Sequence, residues 1–495
     1  MESSATSGGL PLSPERNAAL RAGDCQLMPK MPDDRLSANR GVRALGTDSL
    51  IVALLSPMAA LTSDAVQKFL FAVVILDIPI ELGTYLFYQP VQAALGALKG
   101  LSISATTIAL AGLYTSWFIR TLANRTPRVR PRLHMNLALV FFLAITLLSV
   151  FVAQDKALSL FDLYLLFEAC LIYFYVANNV RTWRDVLFVV ALLLGGCLFE
   201  SAVIIVIRFT VTASTTWDYP IHIIAENFTG DGRMRIGGTI GVPNVAGAYL
   251  SVMLAAAASI LFTDLGKMYK WLAAVVLALG GVALILTYSR GAWLALVLAT
   301  IVICFVIGRQ RGTSLKAPIA ILVILAALYV PFGGSISARL FGDDRGSAES
   351  RIPLDELAFR MIGDNPLLGV GANNFTVAMD QYATSEFRRE WLWAVHNKYL
   401  LVWAETGLGG LLAYLAFLVS TLRRGWQCWK FGDSQFSPLA LGLVAGIAGH
   451  MLHQGVDLFR DRPLQQLVWL TAGLLVAMHG ICVADHRSDL VSSIA

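Results

Sequence analysis

Charge is what this sequence has least of. Only 14% of its 495 residues are charged, and 56% are hydrophobic. Soluble domains carry about 25% charged residues. The deficit excludes a water-soluble globule and fits a chain whose main solvent is lipid. Patterned cysteine is also missing. Cys25, Cys170, Cys197, Cys304, Cys428 and Cys482 are scattered, mostly through apolar runs, with no Cys-x-x-Cys pair. That pattern gives no disulfide framework and no zinc site. Lysine-rich patches are absent, and the net charge of +5 is spread over short loops. Those basic residues read as orientation signals, so no nucleic-acid partner is expected. No His-Glu-x-x-His or other metal spacing occurs in the segments expected outside. Asp343 and Asp344 are adjacent, which suits a solvated turn. No metal and no cofactor are therefore expected. The first apolar run comes too late for a cleavable signal peptide. Residues 1–45 are polar and are expected to be a disordered cytoplasmic tail.

What the chain does have is apolar runs. A membrane-crossing helix needs roughly 20 mainly apolar residues. Runs of that kind lie near 101–122, 134–153, 157–178, 186–208, 239–262, 271–288, 291–308, 317–332, 397–423, 437–457 and 464–484. The region 49–95 is ambiguous. It is broken by LTSDAVQ, and its second piece holds Asp77, Pro79 and Glu81. Basic loops at 125–132, 181–185, 267–270, 308–316 and 423–426 all fall on one side if the chain alternates. The positive-inside rule makes that side cytoplasmic. One crossing between 45 and 100 then closes the topology, with 68–95 interfacial or re-entrant. The expected fold is all-α, a polytopic bundle of about 12 membrane helices. Residues 46–332 carry most of the bundle, 333–396 form a long outer loop, and 397–484 complete the spans. Residues 485–495 are a cytoplasmic tail. Loops as long as 333–396 tend to be functional or disordered. LDELAFRMI within it has helical spacing, so a partly folded cover over the membrane surface is expected.

Four elements in the second half form a pattern. RIGGTIGVPNVAGAYL (235–250) resembles the Arg-x-x-Gly-Thr-Phe-Gly-x-Pro-Asn signature of the O-antigen ligase superfamily, with Ile240 where the family often has Phe. TYSRGAWLAL (287–296) is similar to its Ser-Arg-Gly-Ala element. DNPLLGVGANNF (364–375) resembles its Pro-Leu-Leu-Gly element. HNKYLLVWAETGLGGLLAYL (396–415) is similar to its His-Asn-x-Tyr-Leu element. All four fall on one expected face and in family order. The first half matches only in hydropathy. The resemblance implies a bacterial inner-membrane glycosyltransferase with a periplasmic site. Its donor would be a polyprenyl-diphosphate-linked oligosaccharide. Its acceptor would be a second glycan or lipid A-core, with a chain-length regulator and a flippase as further partners.

The residues fit that chemistry. A diphosphate leaving group gathers negative charge, and arginine's planar fork stays charged and binds phosphate bidentately. Arg235 and Arg290 lie at expected outer boundaries, where arginine is otherwise disfavoured. Arg233 is a neighbour of similar promise, and Arg351 lies in the long loop. The bland reading of each is a helix-flanking charge on a solvated face. His396 is the expected general base, accepting the acceptor hydroxyl's proton; the bland reading is an interfacial histidine. Asn244, Asn397, Tyr399 and Trp403 are the expected substrate contacts, although aromatics there also suit an interfacial belt. Glu405 lies nine residues beyond His396, on the opposite helical side, so it is expected to bond a neighbouring helix. GVGANN lacks the third glycine and the flanking strand of a dinucleotide loop. His450 and His453 are three apart in an apolar run, with packing the default. Asp77, Glu81, Glu168 and Glu200 fall in or near spans, where acids are functional suspects.

Three classes compete. A polymerase of repeat units is the first reading and an O-antigen ligase the second, with a protein oligosaccharyltransferase third among the enzymes. A transporter of lipid-linked oligosaccharide would place its polar residues at mid-membrane, often with repeat symmetry. A scaffold would not need the arginine and histidine set.

Overall fold

The computed structural model describes residues 63–123, 134–211, 215–217, 223–226, 234–311, 351–384 and 393–494, with helical positions scattered between 319 and 341. Arg233, Asp343, Asp344 and the terminal tail fall outside the described residues.

Among the described residues the first element is helix α1 (Asp64–Ile80), capped by Ser63. The hairpin strands β1 (Gly83–Leu86) and β2 (Leu101–Ser104) flank a short helix, α2 (Pro90–Ala94). Helices α3 (Ala105–Ala123), α4 (Leu137–Ser149), α5 (Lys156–Asn179) and α6 (Trp183–Thr210) follow. Then β3 (Thr215–Trp217), β4 (Ile223–Glu226) and β5 (Arg235–Gly238) form an antiparallel three-stranded sheet. Helices α7 (Pro243–Ile260), α8 (Lys267–Leu286) and α9 (Arg290–Arg311) come next. Helices α10 (Arg351–Asp364) and α11 (Phe375–Tyr382) lie within the long loop. The chain ends with α12 (Lys398–Phe431), α13 (Ser437–His453) and α14 (Arg462–Ile494).

Seven described helices are long and apolar enough to cross a membrane: α5, α6, α7, α8, α9, α12 and α14. Helices α4 and α13 are apolar but shorter. The count of about 12 is not confirmed. The described residues are predominantly helical, as expected, with five short strands between helices. β1 is exposed, whereas β2 is half-buried and β5 mostly buried against the bundle. The run at 101–122 starts its helix only at Ala105, because 101–104 pair with 83–86. The piece at 68–95 is divided in the same way. Its first part is helix α1, ended at Glu81 by a left-handed cap.

Burial explains the packing. In α9 the exposed residues Leu294, Val297, Ile301 and Phe305 recur every three or four positions. An apolar stripe on the outside of a helix marks lipid as its solvent. Helix α7 is the reverse, with nearly its whole length buried. Its Ala-rich sequence lets neighbours approach closely, as small residues do in membrane bundles. Helix α13 packs on it through Gly442 and Gly446, where a side chain would meet Ser259 and the Val252 backbone.

One helix is broken. Gly407 in α12 has φ 73° and ψ −178°. The break leaves the carbonyls of Ala404 and Glu405 without helical partners. They accept the N–H groups of Val370 and Gly371 at 2.8 and 3.0 Å, and Leu408 N–H donates to the Pro366 carbonyl at 2.8 Å. A continuous span at 397–423 is thereby corrected to a kinked one. A single glycine inside an apolar helical pattern is a weak break signal, and it is the docked loop that makes this one a break.

Candidate functional site

The helix ends at 210, 286 and 453 and the helix starts at 243, 290, 398 and 462 converge at one end of the bundle. Contacts tie them together. Thr239 donates to the Pro79 carbonyl at 2.7 Å. The Lys398 N–H donates to the Gln454 carbonyl at 2.9 Å.

Glu200 on α6 shapes the first arginine element. Its carboxylate accepts from the Thr239 hydroxyl and from the N–H groups of Thr239 and Ile240, at 3.3 and 3.4 Å. These bonds fix the Gly-Gly-Thr-Ile-Gly turn between β5 and α7. Arg235, at the start of β5, is oriented by that turn. Its Nε donates to the Thr287 carbonyl at 3.2 Å and a terminal nitrogen donates to Asn244 Oδ1 at 2.6 Å. Thr287 leads directly into Arg290, so the two arginine elements meet. Arg290 opens α9 and Gly291 follows it.

From Arg235 a polar line runs to His396. Asn244 Nδ2 donates to Asp457 Oδ2 at 2.7 Å. Asp457 Oδ1 lies 3.5 Å from His396 Nδ1. The contact lacks hydrogen-bond geometry, and Nδ1 has no hydrogen-bond partner. Burial acts to raise the Asp457 carboxyl. The His396 contact and the charges of His396 and His453 outweigh it and bring it down to about 2. It is therefore a carboxylate at any physiological pH. A carboxylate facing Nδ1 selects the tautomer with its proton there and leaves Nε2 as the acceptor. His396 precedes the N-cap of α12, rather than opening the helix.

The other expected residues have definite places. Asn397 is the N-cap, accepting from the N–H groups of Tyr399 and Leu400 at 3.0 and 3.2 Å. Tyr399 donates to the Met451 carbonyl at 2.6 Å, toward α13. Trp403 packs on the apolar cluster under α10 and α11. Arg351 starts α10, one turn before Asp355, whose carboxyl is raised by burial against the opposing charges of Arg351 and His396. The structure thus groups Arg235, Asn244, Asp457 and His396, with Arg290 joined through Thr287.

The suspect acids are held in structural bonds. Asp77 accepts from Thr106 and pairs with Arg462 at 3.1 Å, and Glu81 approaches the same guanidinium at 3.8 Å. Glu168 accepts from Gln466 at 2.7 Å and from Thr107. Glu405 pairs with buried Arg460 and accepts the Phe375 N–H at 3.2 Å. The asparagines of GVGANN are docking groups. Asn373 donates to the Leu158 carbonyl at 3.0 Å, and Asn374 donates to Asp155 O and Ser159 Oγ, each at 2.9 Å. A cavity of about 40 Å³ beneath the site is lined by Asp162, Lys398, Glu405, His450, Gln454 and Arg460, among others. At roughly 10–15 Å³ per water it suits a few waters, not a sugar.

Asp457, Arg460 and Arg462 were not among the expected residues. The apolar run at 437–457 absorbs Asp457, whereas α13 ends at His453 and 454–461 is a loop. A signal was present. DLFRDR holds four charged residues between two apolar runs, where charge is otherwise scarce.

Known proteins were compared with this chain. No curated protein matches. A chain of a solved structure described as "Structural coordination of polymerization and crosslinking by a peptidoglycan synthase complex" aligns over 70% of this chain and 98% of its own, at 15% identity and a TM-score of 0.36. At that score the likeness carries no argument. The O-antigen ligase family model matches residues 273–415, which include Arg290, Arg351 and His396. It gives no support to the transporter reading. Over residues 273–415 the chain is thus similar to the O-antigen ligase family, which supports kinship with the O-antigen ligase/polymerase superfamily.

Proposed function

We propose that this protein polymerises polyprenyl-diphosphate-linked oligosaccharide repeat units at the periplasmic face of the inner membrane. The observation that carries the reading is the line Arg235–Asn244–Asp457–His396, which brings an arginine and an imidazole to either end of one polar chain through a carboxylate. The acceptor's hydroxyl oxygen attacks the anomeric carbon of the donor. Its proton passes to His396 Nε2. The anomeric carbon–oxygen bond breaks, and its electron pair leaves with the lipid diphosphate. Arg235 and Arg290 take up that charge, with Arg351 at the edge of the site. A single displacement inverts the anomeric centre. Arginines do here what a divalent cation does in other phosphate sites.

The long outer segment, with helices α10 and α11 packed over the site end, favours a polymerase, since it offers a surface for a growing glycan. The second reading is an O-antigen ligase with lipid A-core as acceptor. It rests on the family description itself. Deleting the gene separates them. Loss of long chains alone means polymerase, and long chains left unattached to lipid A-core mean ligase.

Purified protein and a synthetic prenyl-diphosphate donor test the mechanism. Transfer is expected to continue in excess chelator. Complete loss, restored by magnesium or manganese, would remove the role given to the arginines. Arg235→Lys and Arg290→Lys keep the charge but lose the bidentate fork. Each is expected to weaken donor binding about tenfold or more, on the scale of one charge-assisted hydrogen bond. Full activity in both would move the donor site to Arg233 and Arg351.

A further inference from the structure

His450 and His453 stand out in the sequence, and the proposed chemistry uses neither. The structure separates them. His450 lies deeper in α13, with its Nε2 3.1 Å from Gln454. His453 ends the helix at the site. Its ring lies edge-on to Phe459, with centroids 4.6 Å apart. A side-chain carbon built on Gly291 would stand 2.3 Å from His453 Cδ2 and 2.4 Å from its Nε2, with Cγ of the same ring the next nearest atom. The imidazole therefore occupies the space that any other residue at 291 would need. Gly291 directly follows Arg290. His453 Nδ1 is buried without a hydrogen-bond partner. Asp457 and Arg351 are both within electrostatic reach of the ring. Simple packing would be served as well by leucine, which leaves no polar atom unsatisfied. A buried unpaired group is costly and calls for a functional explanation.

We propose that His453 is a positioning residue of this site, the wedge that sets the Arg290 turn against the loop carrying Asp457. The wedge fixes the separation between the donor's phosphate ligand and the histidine that receives the acceptor's proton. Donor and base belong to different helices, α9 and α12, and His453 touches the former while ending the helix that leads to the Asp457 loop. This inference rests on the reading of the site as a glycosyl-transfer centre.

Four variants of the full-length protein test it: Gly291→Ala, His453→Ala, the two together, and His453→Gln. Donor binding, single-turnover transfer per folded molecule and the thermal midpoint are measured for each, with a synthetic prenyl-diphosphate oligosaccharide as donor. Gly291→Ala and His453→Ala are each expected to lose tenfold or more of the transfer rate per folded molecule. The double variant is expected to equal His453→Ala, because the new methyl enters space that the ring has left. His453→Gln is expected to regain part of the rate. Losses that multiply in the double variant would overturn the proposal. So would variants that melt earlier but transfer at the wild-type rate per folded molecule, the signature of packing alone. Active wild-type protein beside fully active variants removes His453 only. Wild-type protein that transfers nothing removes the glycosyl-transfer reading and the wedge with it.

Discussion

Replacing His396 with alanine is expected to slow the turnover of bound donor by about 10²–10⁴-fold, the usual range for a general base. Donor binding should change little, because the diphosphate is assigned to the arginines. This split follows from timing. The imidazole matters as the acceptor hydroxyl loses its proton, and an interaction made only then lowers the rate without weakening the ground-state complex. Asp457→Asn should follow the same pattern with a smaller loss. It keeps the volume and the contact with Asn244 but removes the charge that holds the His396 tautomer. Losing the charge that selects the tautomer costs up to about 10⁴-fold where the carboxylate is hydrogen-bonded to the imidazole, and less is expected for this longer contact. Equilibrium donor binding and single-turnover transfer for the two purified variants check the result. If His396→Ala abolished binding while bound donor reacted normally, the histidine would be a phosphate ligand and the base would lie elsewhere.

The second large effect is on stability. Arg460 and Glu405 form an ion pair with side chains only 3% and 5% exposed. Arg460 also donates to Asn373 Oδ1 at 2.5 Å. Removing one member of a buried pair leaves the other charged and unsolvated, at a cost of about 3–5 kcal/mol. Arg460→Ala should therefore strip most of the folded protein from a detergent preparation, and Glu405→Gln should do the same less severely. Any Arg460→Ala molecules that fold should transfer near the wild-type rate, since neither residue belongs to the line from Arg235 to His396. Thermal unfolding and activity per folded molecule separate the two effects. A melting midpoint unchanged in both variants would show that the pair is not holding the loop.

Much of this arrangement is legible in the sequence, for identifiable reasons. Apolar runs of membrane length leave little choice of secondary structure, and α5 to α9 start within a few residues of the expected positions. Arg235, Arg290 and His396 stand out because charge is scarce. Helical spacing predicts that Glu405 turns toward a neighbouring helix, but His396 lies before the helix, and Glu405 pairs with Arg460 in the 454–461 loop and accepts the first amide of α11. The partner's identity was hidden. Arg460 is 55 residues further along, and no local pattern links the two. Asp457 was hidden differently. It sits against an apolar run, and a window of membrane length takes it in as the last residue of a span. The hairpin at 83–104 was hidden because its strands are only four residues long and pair across a short helix, so neither carries enough alternation to be read alone. The kink at Gly407 depends on a docked loop, so no reading of α12 alone reveals it.

That kink has a consequence for how this end of the molecule comes apart. The amides of Val370, Gly371 and Leu408 are bonded only while the helix is interrupted and the 366–371 segment lies in place. Neither state survives alone. A continuous helix would take back its carbonyls, and a departed segment would leave them bare in an apolar setting. Segment and helix half therefore open and close as one unit. Because the bonds run through the main chain, they are blind to side-chain identity. Positive φ restricts the choice at Gly369, Gly371, Asn373 and Gly407, and the side chains of Asn373 and Asn374 dock the loop; elsewhere in 366–371 the main-chain bonds place no demand on side-chain identity.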